Sequence, residues 1–262
     1  MRRVLLLLTV LLPAAVFAQG TKNALESDFG ARLSVSVDKK IVKGLHVEVG
    51  GEMRLSDNFT SFGRYQFGLG LTYKINKVFK VGVGYEFIEK KNSSSVWKPR
   101  HRVYADASAT LRAGDWRFIF KERFQYTHRD VGNVYQSNPN LLELKSRFKV
   151  LYKGFASVTP YGYVEVRNVF NDPSCSATWS TASRAYADYK FLGYRHAYIN
   201  RVRGCLGAEW NITKQHSLDF YLLGDYCYDK NVDTNSSGTR LKSLTYDQTF
   251  RLAPCIAYRF SF

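Results

Sequence analysis

The sequence predicts an all-β fold, a single antiparallel transmembrane β-barrel of ten to twelve strands, twelve favoured, with short periplasmic turns and long extracellular loops. Three observations predict it. Beyond an N-terminal export signal, no apolar run approaches the ~18–20 residues that a membrane-spanning helix needs. Apolar residues alternate with polar ones at period two in one short run after another. The final run stops on the aromatic Phe262, leaving an apolar edge that is safe from aggregation only if a barrel closes over it.

The export signal is read first because it is excluded from the fold. Arg2 and Arg3 precede an apolar run from Val4 to Val16, and Val16 and Ala18 stand three and one positions before Gln19. That spacing predicts cleavage after Ala18 and divides the chain into a signal at 1–18 and a barrel at 19–262. An N-terminal anchor is the competing reading, and Pro13 interrupts a core already short for one. No Cys follows the cleavage site, which argues against a lipoprotein. The remainder carries no Pro/Ser-rich linker and reads as one domain. The chain is 45% hydrophobic and 15% aromatic, with 18 Tyr and 18 Phe, and this apolarity is dispersed, as strands require. A formal charge of +16 raises the question of nucleic acid. Export and the scatter of Lys and Arg along strands argue against it.

Residues 28–38 and 44–55 open the series, turning Leu33, Val35 and Val37, then Val47, Val49 and Met53, to one face. The clearest hairpin follows. With Asn76 at the centre of its turn, Tyr73 faces Phe79, Leu71 faces Val81, Leu69 faces Val83, Phe67 faces Tyr85 and Tyr65 faces Phe87. Gly70 then faces Gly82 and Gly68 faces Gly84 on the polar side. The next hairpin takes Ala113 and Gly114 as its turn, setting Leu111 opposite Trp116, Ala109 opposite Phe118 and Ala107 opposite Phe120. Asp106 then lies across from Lys121, a favourable pairing of opposite charges. Glu122 breaks the apolar face there, and a bulge or a rim position would account for it. Runs at 144–152, 156–169, 195–210, 216–228 and 244–262 complete the set.

Short turns at 38–42, 75–77, 113–114, 153–154 and 211–215 alternate with longer connections near 56–62, 90–99, 128–142, 171–193 and 229–243. This rim asymmetry is expected of outer-membrane barrels; a soluble sandwich or lipocalin-like barrel more often turns its apolar side inward. The runs number eleven, against the even number expected of bacterial barrels. Ten or twelve is therefore expected, with residues 19–30 one source of an additional strand.

The last run places Tyr258, Phe260 and Phe262 on one face and ends there. It resembles the C-terminal signal recognised by the barrel-assembly machinery, an expected partner. The segments Gly-Leu-Thr-Tyr-Lys at 70–74, Gly-Tyr-Glu-Phe at 84–87 and Arg-Phe-Gln-Tyr-Thr at 123–127 resemble an outer-membrane barrel family, the domain of unknown function numbered twenty-four-ninety. The resemblance implies the barrel fold and brings no established activity or site residues.

On these faces the lumen collects Arg64, Arg102, Arg112, Arg117, Lys121, Arg123, Arg147, Lys149, Arg167, Arg201, Arg203, Arg251 and Arg259. Glu86, Asp106, Glu165, Glu209, Asp219, Asp225 and Asp247 stand against them. Charges facing lipid at the midplane cost about 2–4 kcal/mol, so a salt-bridged, watery interior is one expectation. A small anion-selective pore is the sharper one. The role expected is structural or small-solute transport in the bacterial outer membrane, among its lipids, with no cofactor, no nucleic acid and the oligomeric state open. The alternative is a lipid-modifying or lipid-hydrolysing enzyme. It would need nucleophile, base and orienting group together, and His128 and His196 with Ser137 and Ser183 lie near the long-loop rim without a motif joining them. His46, His101 and His216 read as isolated polar residues. The glycines at 68, 70, 82 and 84 lie within strands, with no helix to receive a phosphate. They read as space for Tyr161, Tyr163 or Tyr221 from the far wall. Cys175, Cys205, Cys227 and Cys255 lack metal-type spacing. Cys227 with Cys255 is the disulfide candidate, and free thiols are the alternative.

Overall fold

A computed structural model describes residues 21–92 and 94–262; the signal expected at 1–18 lies outside the described residues. The fold is all-β, with twelve strands: β1 Thr21–Phe29, β2 Ala31–Val42, β3 Leu45–Ser56, β4 Ser61–Lys74, β5 Phe79–Lys91, β6 Trp97–Ala113, β7 Trp116–Arg129, β8 Asn140–Tyr152, β9 Val158–Ser180, β10 Ala185–Asn211, β11 His216–Thr234 and β12 Leu241–Ser261. From β2 to β12 each strand pairs with the next, and β12 returns to β2, so the sheet closes.

The seam settles the strand count. β12 runs parallel to β2, from Cys255 opposite Arg32 to Ser261 opposite Asp38, and parallel to β1, with Phe29 opposite Leu252. The two registers are continuous, because the Gly30 N–H between them donates to the Leu252 carbonyl at 3.0 Å. β1 and β2 therefore lie end to end along one edge of β12. There are twelve strands but eleven positions around the wall. The even number belongs to meanders whose first and last strands run oppositely; with eleven positions they run the same way, and closure must be parallel. The wholly antiparallel barrel expected from the sequence is thus mixed at this one seam. Gly30 sits where a Cβ would meet the Leu55 carbonyl, so a side chain at the junction would push β3 away.

This seam is open to a direct check. Leu33 and Ile256 are Cα partners across it and both are exposed on the outer face. Neighbouring strands lie about 4.8 Å apart, within disulfide reach. The double variant Leu33→Cys/Ile256→Cys is expected to form an intramolecular cross-link on oxidation, read as a faster band on a non-reducing denaturing gel. A chain that stays uncross-linked would rule out the parallel seam.

Both hairpins expected from alternation form, each displaced by two residues. In β4–β5, Tyr73 faces Val81, Leu71 faces Val83, Leu69 faces Tyr85, Phe67 faces Phe87 and Gly70 faces Gly84. The turn is longer than expected because the Asn76 side chain accepts from the Val78 and Phe79 amides, both at 2.8 Å. In β6–β7, Leu111 faces Phe118, Ala109 faces Phe120 and Asp106 faces Arg123. Its turn is Gly114–Asp115, with Gly114 at φ +57°, a conformation Ala113 would adopt only with strain. A two-residue slip preserves both faces of a strand. The apolar side is therefore as expected, although the partners differ.

Glu122 requires neither bulge nor rim. The register runs through it unbroken, opposite Ala107 and Ser146, and it faces outward while accepting from the Ser146 hydroxyl at 2.7 Å. The connection expected at 171–193 is mostly strand. β9 and β10 extend into it and meet at a turn at 181–184, with register shifts near Ala187, Phe191, Tyr194, His196 and Ile199. Each shift interrupts period-two alternation, which is why the sequence there reads as a loop.

Outside the wall the apolar residues stand exposed: Leu206 at 74%, Phe67 at 61% and Val83 and Val164 at 54%. Inside, charged pairs dominate, and a small apolar cluster of Tyr161, Cys205, Leu223, Ala253 and Cys255 packs beside them. A second cluster, Val232, Leu241 and Leu244, closes around the projecting ends of β11 and β12.

Candidate functional site

Strand alternation sends every second residue into the barrel, so the interior is set by which side chains share that parity. Two cavities lie in series within it among the described residues. The one toward the short-turn rim, about 630 Å³, is lined by eleven Lys and Arg residues and six carboxylates. The one toward the long-loop rim, about 350 Å³, is lined by eleven Lys and Arg against only Glu143, Asp172 and Asp229. Arg32, Arg54 and Arg102 line both and form the partition. Each is held by a carboxylate: Arg32 by Asp225 at 3.0 Å, Arg102 by Glu86 at 2.8 Å, and Arg54 by Glu52.

Half of the expected lumen residues meet in two ion-pair networks. On one side, Arg123 grips Asp106 through Nε at 2.6 Å and Nη2 at 2.8 Å, Lys121 reaches the same carboxylate at 2.8 Å, and Arg123 extends to Glu86 at 3.5 Å. On the other, Arg203 donates to Asp225 from Nε at 2.5 Å and Nη2 at 3.0 Å and reaches Glu165 at 3.4 Å. Arg147 also bonds Glu165, at 2.5 Å. Arg167 pairs with Glu143 at 3.1 Å and Arg251 with Asp28 at 2.5 Å. Two expected residues keep the inner parity but lie at the rim, because Arg112 and Arg117 stand opposite each other beside the Gly114 turn. Arg117 bends back to the Gly114 and Trp116 carbonyls there, and neither residue lines the cavities.

The registers also set like charges against each other. Arg32 faces Arg54, Arg54 faces Arg64, and Arg64 faces Lys90 across β2 to β5. Arg123 faces Lys145, Lys145 faces Arg167, and Arg167 faces Arg201 across β7 to β10. Directly opposed like charges destabilise a sheet. Of these, Arg32, Arg54 and Lys145 were missing from the expected lumen, although they share the polar parity of their strands. Lys90, Arg100 and Arg129 were missed for a different reason: their strands run further than the alternation indicated.

The long-loop mouth is covered. The β7–β8 connection, residues 130–139, crosses to the far strands: Asn133 donates to Thr234 Oγ1 at 3.3 Å and Gln136 to Asp233 at 2.9 Å. Tyr194 donates to the Val134 carbonyl at 2.8 Å, and Gln136 and Ser137 line the cavity below.

Other expected placements resolve simply. Tyr104, from the neighbouring strand, fills the space beside Gly70 and Gly84 and stacks under Arg123 at 3.8 Å, so the far-wall tyrosines are not what those glycines admit. Tyr161 and Tyr221 crowd Gly207 instead. Cys227 faces Thr249 while Cys255 faces Tyr221. That is six residues out of register, roughly 20 Å at strand rise, beyond disulfide reach; all four cysteines are free. Tyr258 bonds His216 at 2.5 Å, and Phe260 packs on His216 and on Phe262, so the terminal aromatics lie at the closing seam. His128 bonds Asn140 at 2.9 Å and His196 stacks on Tyr198. Ser183 lies in the β9–β10 turn, and no hydrogen bond among the described residues joins either histidine to it or to Ser137. Among the described residues no group of three or more His, Cys, Asp or Glu is placed to hold a metal.

Residues 29–236 match the family described as "Protein of unknown function (DUF2490)". The chain belongs to that family. In this DUF2490 chain the matched span runs from the end of β1 to just past β11, taking in both cavities' β2–β11 walls and the covering loop. No curated protein matches the chain.

Proposed function

We propose that this chain is an integral outer-membrane β-barrel, exported by a cleaved signal and folded through the barrel-assembly machinery, whose basic lumen takes up and conducts small anions. The observation that carries the reading is the inside-out wall: apolar side chains exposed all around a closed sheet, with cations in excess within. A soluble protein rarely leaves so large a contiguous apolar surface bare, whereas a lipid environment requires it. A cationic lining attracts anions and repels cations. The ionic partition and the covering loop narrow the path, so conductance is expected in small steps.

The test is fractionation followed by electrophysiology. The protein is expected in outer membranes as a heat-modifiable band. In planar bilayers under a potassium chloride gradient, its reversal potential should have the sign of chloride selectivity. Recovery in the soluble fraction would sink the membrane reading, and a folded barrel without conductance would sink transport.

A further inference from the structure

The long-loop cavity holds positive charge that its own walls leave unanswered. Among the described residues Arg64, Lys90, Arg100 and Arg129 form no ion pair. Arg201 has only a contact of 3.8 Å to Asp225, a carboxylate already taken by Arg203 and Arg32. Lys230 lines the cavity too and bonds only the Pro173 carbonyl, at 2.7 Å. Of the three lining acids, Glu143 serves Arg167 and Gln125, while Asp229 accepts only from a neutral amide, Asn200, at 3.1 Å; that leaves Asp172 and Asp229 against six cations. The Nε atoms of Arg64, Arg100 and Arg201 are shut off from solvent and have no acceptor. A buried donor without an acceptor is costly, and the opposed rows Arg54–Arg64–Lys90 and Arg167–Arg201 add repulsion. The repulsion is relieved if an anion with several acceptor oxygens sits among these side chains and bonds their outer guanidinium nitrogens.

We infer that this cavity is a binding site for a small, free phosphate-bearing anion, such as a diphosphate or a phosphate monoester. Chloride carries one charge and offers no directed acceptors. A phosphate group presents several oxygens to guanidinium forks, the pairing in which arginine outperforms other cations. The cavity volume of about 350 Å³ admits such a molecule. The covering loop, tied down by Asn133 and Gln136, excludes a headgroup still attached to its lipid. The inference rests on the reading of a lumen open to small anions and deepens it: the anion is held, not merely passed.

The test is calorimetric titration of the folded protein with inorganic pyrophosphate, in a phosphate-free detergent so that no headgroup supplies the anion. One saturable site is expected. Arg64→Gln/Arg201→Gln is expected to weaken it roughly tenfold or more, as loss of charge-assisted bonds requires. Arg184→Gln/Lys214→Gln, which removes equal charge from rim turns, should leave it unchanged. If the first pair fails to fold, Arg64→Lys/Arg201→Lys keeps the charge and should still weaken binding by removing the forks. Absence of saturable binding, or equal weakening by the rim pair, overturns the inference. Conductance without pyrophosphate binding would leave the transport reading standing and remove this one; binding without conductance would do the reverse.

Discussion

Replacing Asp225 by alanine is expected to destabilise the barrel by about 3–5 kcal/mol, the usual cost of leaving buried charges without their partner. Asp225 has a side-chain exposure of 1% and accepts from Arg203 at 2.5 and 3.0 Å and from Arg32 at 3.0 Å. Arg32 belongs to β2, on the far side of the seam from Asp225 on β11, so the carboxylate ties the first wall strand to β11 and, through Arg203, to β10. Its loss leaves two guanidiniums facing each other and weakens closure at the seam. The measurement is the urea midpoint of the heat-modifiable band in lipid vesicles. Asp130→Asn, which alters an exposed carboxylate in the β7–β8 connection paired with Lys98 at 2.5 Å, is the comparison and should shift the midpoint little. A midpoint for Asp225→Ala equal to that of Asp130→Asn would show that the network does not hold the seam.

Valine at Gly207 is expected to cost on the order of 1–3 kcal/mol, the range for overpacking, and about 1 kcal/mol more if a hydrogen bond is lost with it. A Cβ there would stand 2.6 Å from the Tyr221 Cβ and 2.8 Å from the Tyr161 Cζ. The Tyr221 contact is to the root of a side chain, which cannot swing aside. Moving Tyr161 would break its hydrogen bond to Asp219, now 2.8 Å. Gly204 lies three residues earlier on the same strand but faces outward, where an added Cβ meets nothing within 4 Å. Gly204→Ala should therefore stay within about 0.5 kcal/mol of the parent. The same urea titration separates the two; equal midpoints would mean that the inner tyrosines repack freely.

How much of this was legible in the sequence follows from what period two encodes. The faces of β4, β5, β6 and β7 were readable from Tyr65 to Phe120 because a two-residue slip leaves every side chain on its own side. Partners were not readable, since Asn76 and Gly114 set turn lengths through side-chain bonding and backbone conformation. The candidate site shows the same division. Arg102, Arg123, Arg147 and Arg203 were recoverable from parity alone, while Lys90, Arg100 and Arg129 lay beyond the alternating runs. The cover formed by residues 130–139 had no local signal, because Asn133 and Gln136 find their partners about a hundred residues away on β11.

The sequence by itself determined that the chain is a β-barrel with an apolar exterior and a cationic interior, because alternation is a local property that each strand carries. Only the tertiary structure decided that eleven wall positions close in parallel, that Asp225 holds two arginines from opposite sides of the seam, and that six cations share one cavity without enough carboxylates. Those outcomes depend on register and closure, which are fixed when distant strands meet.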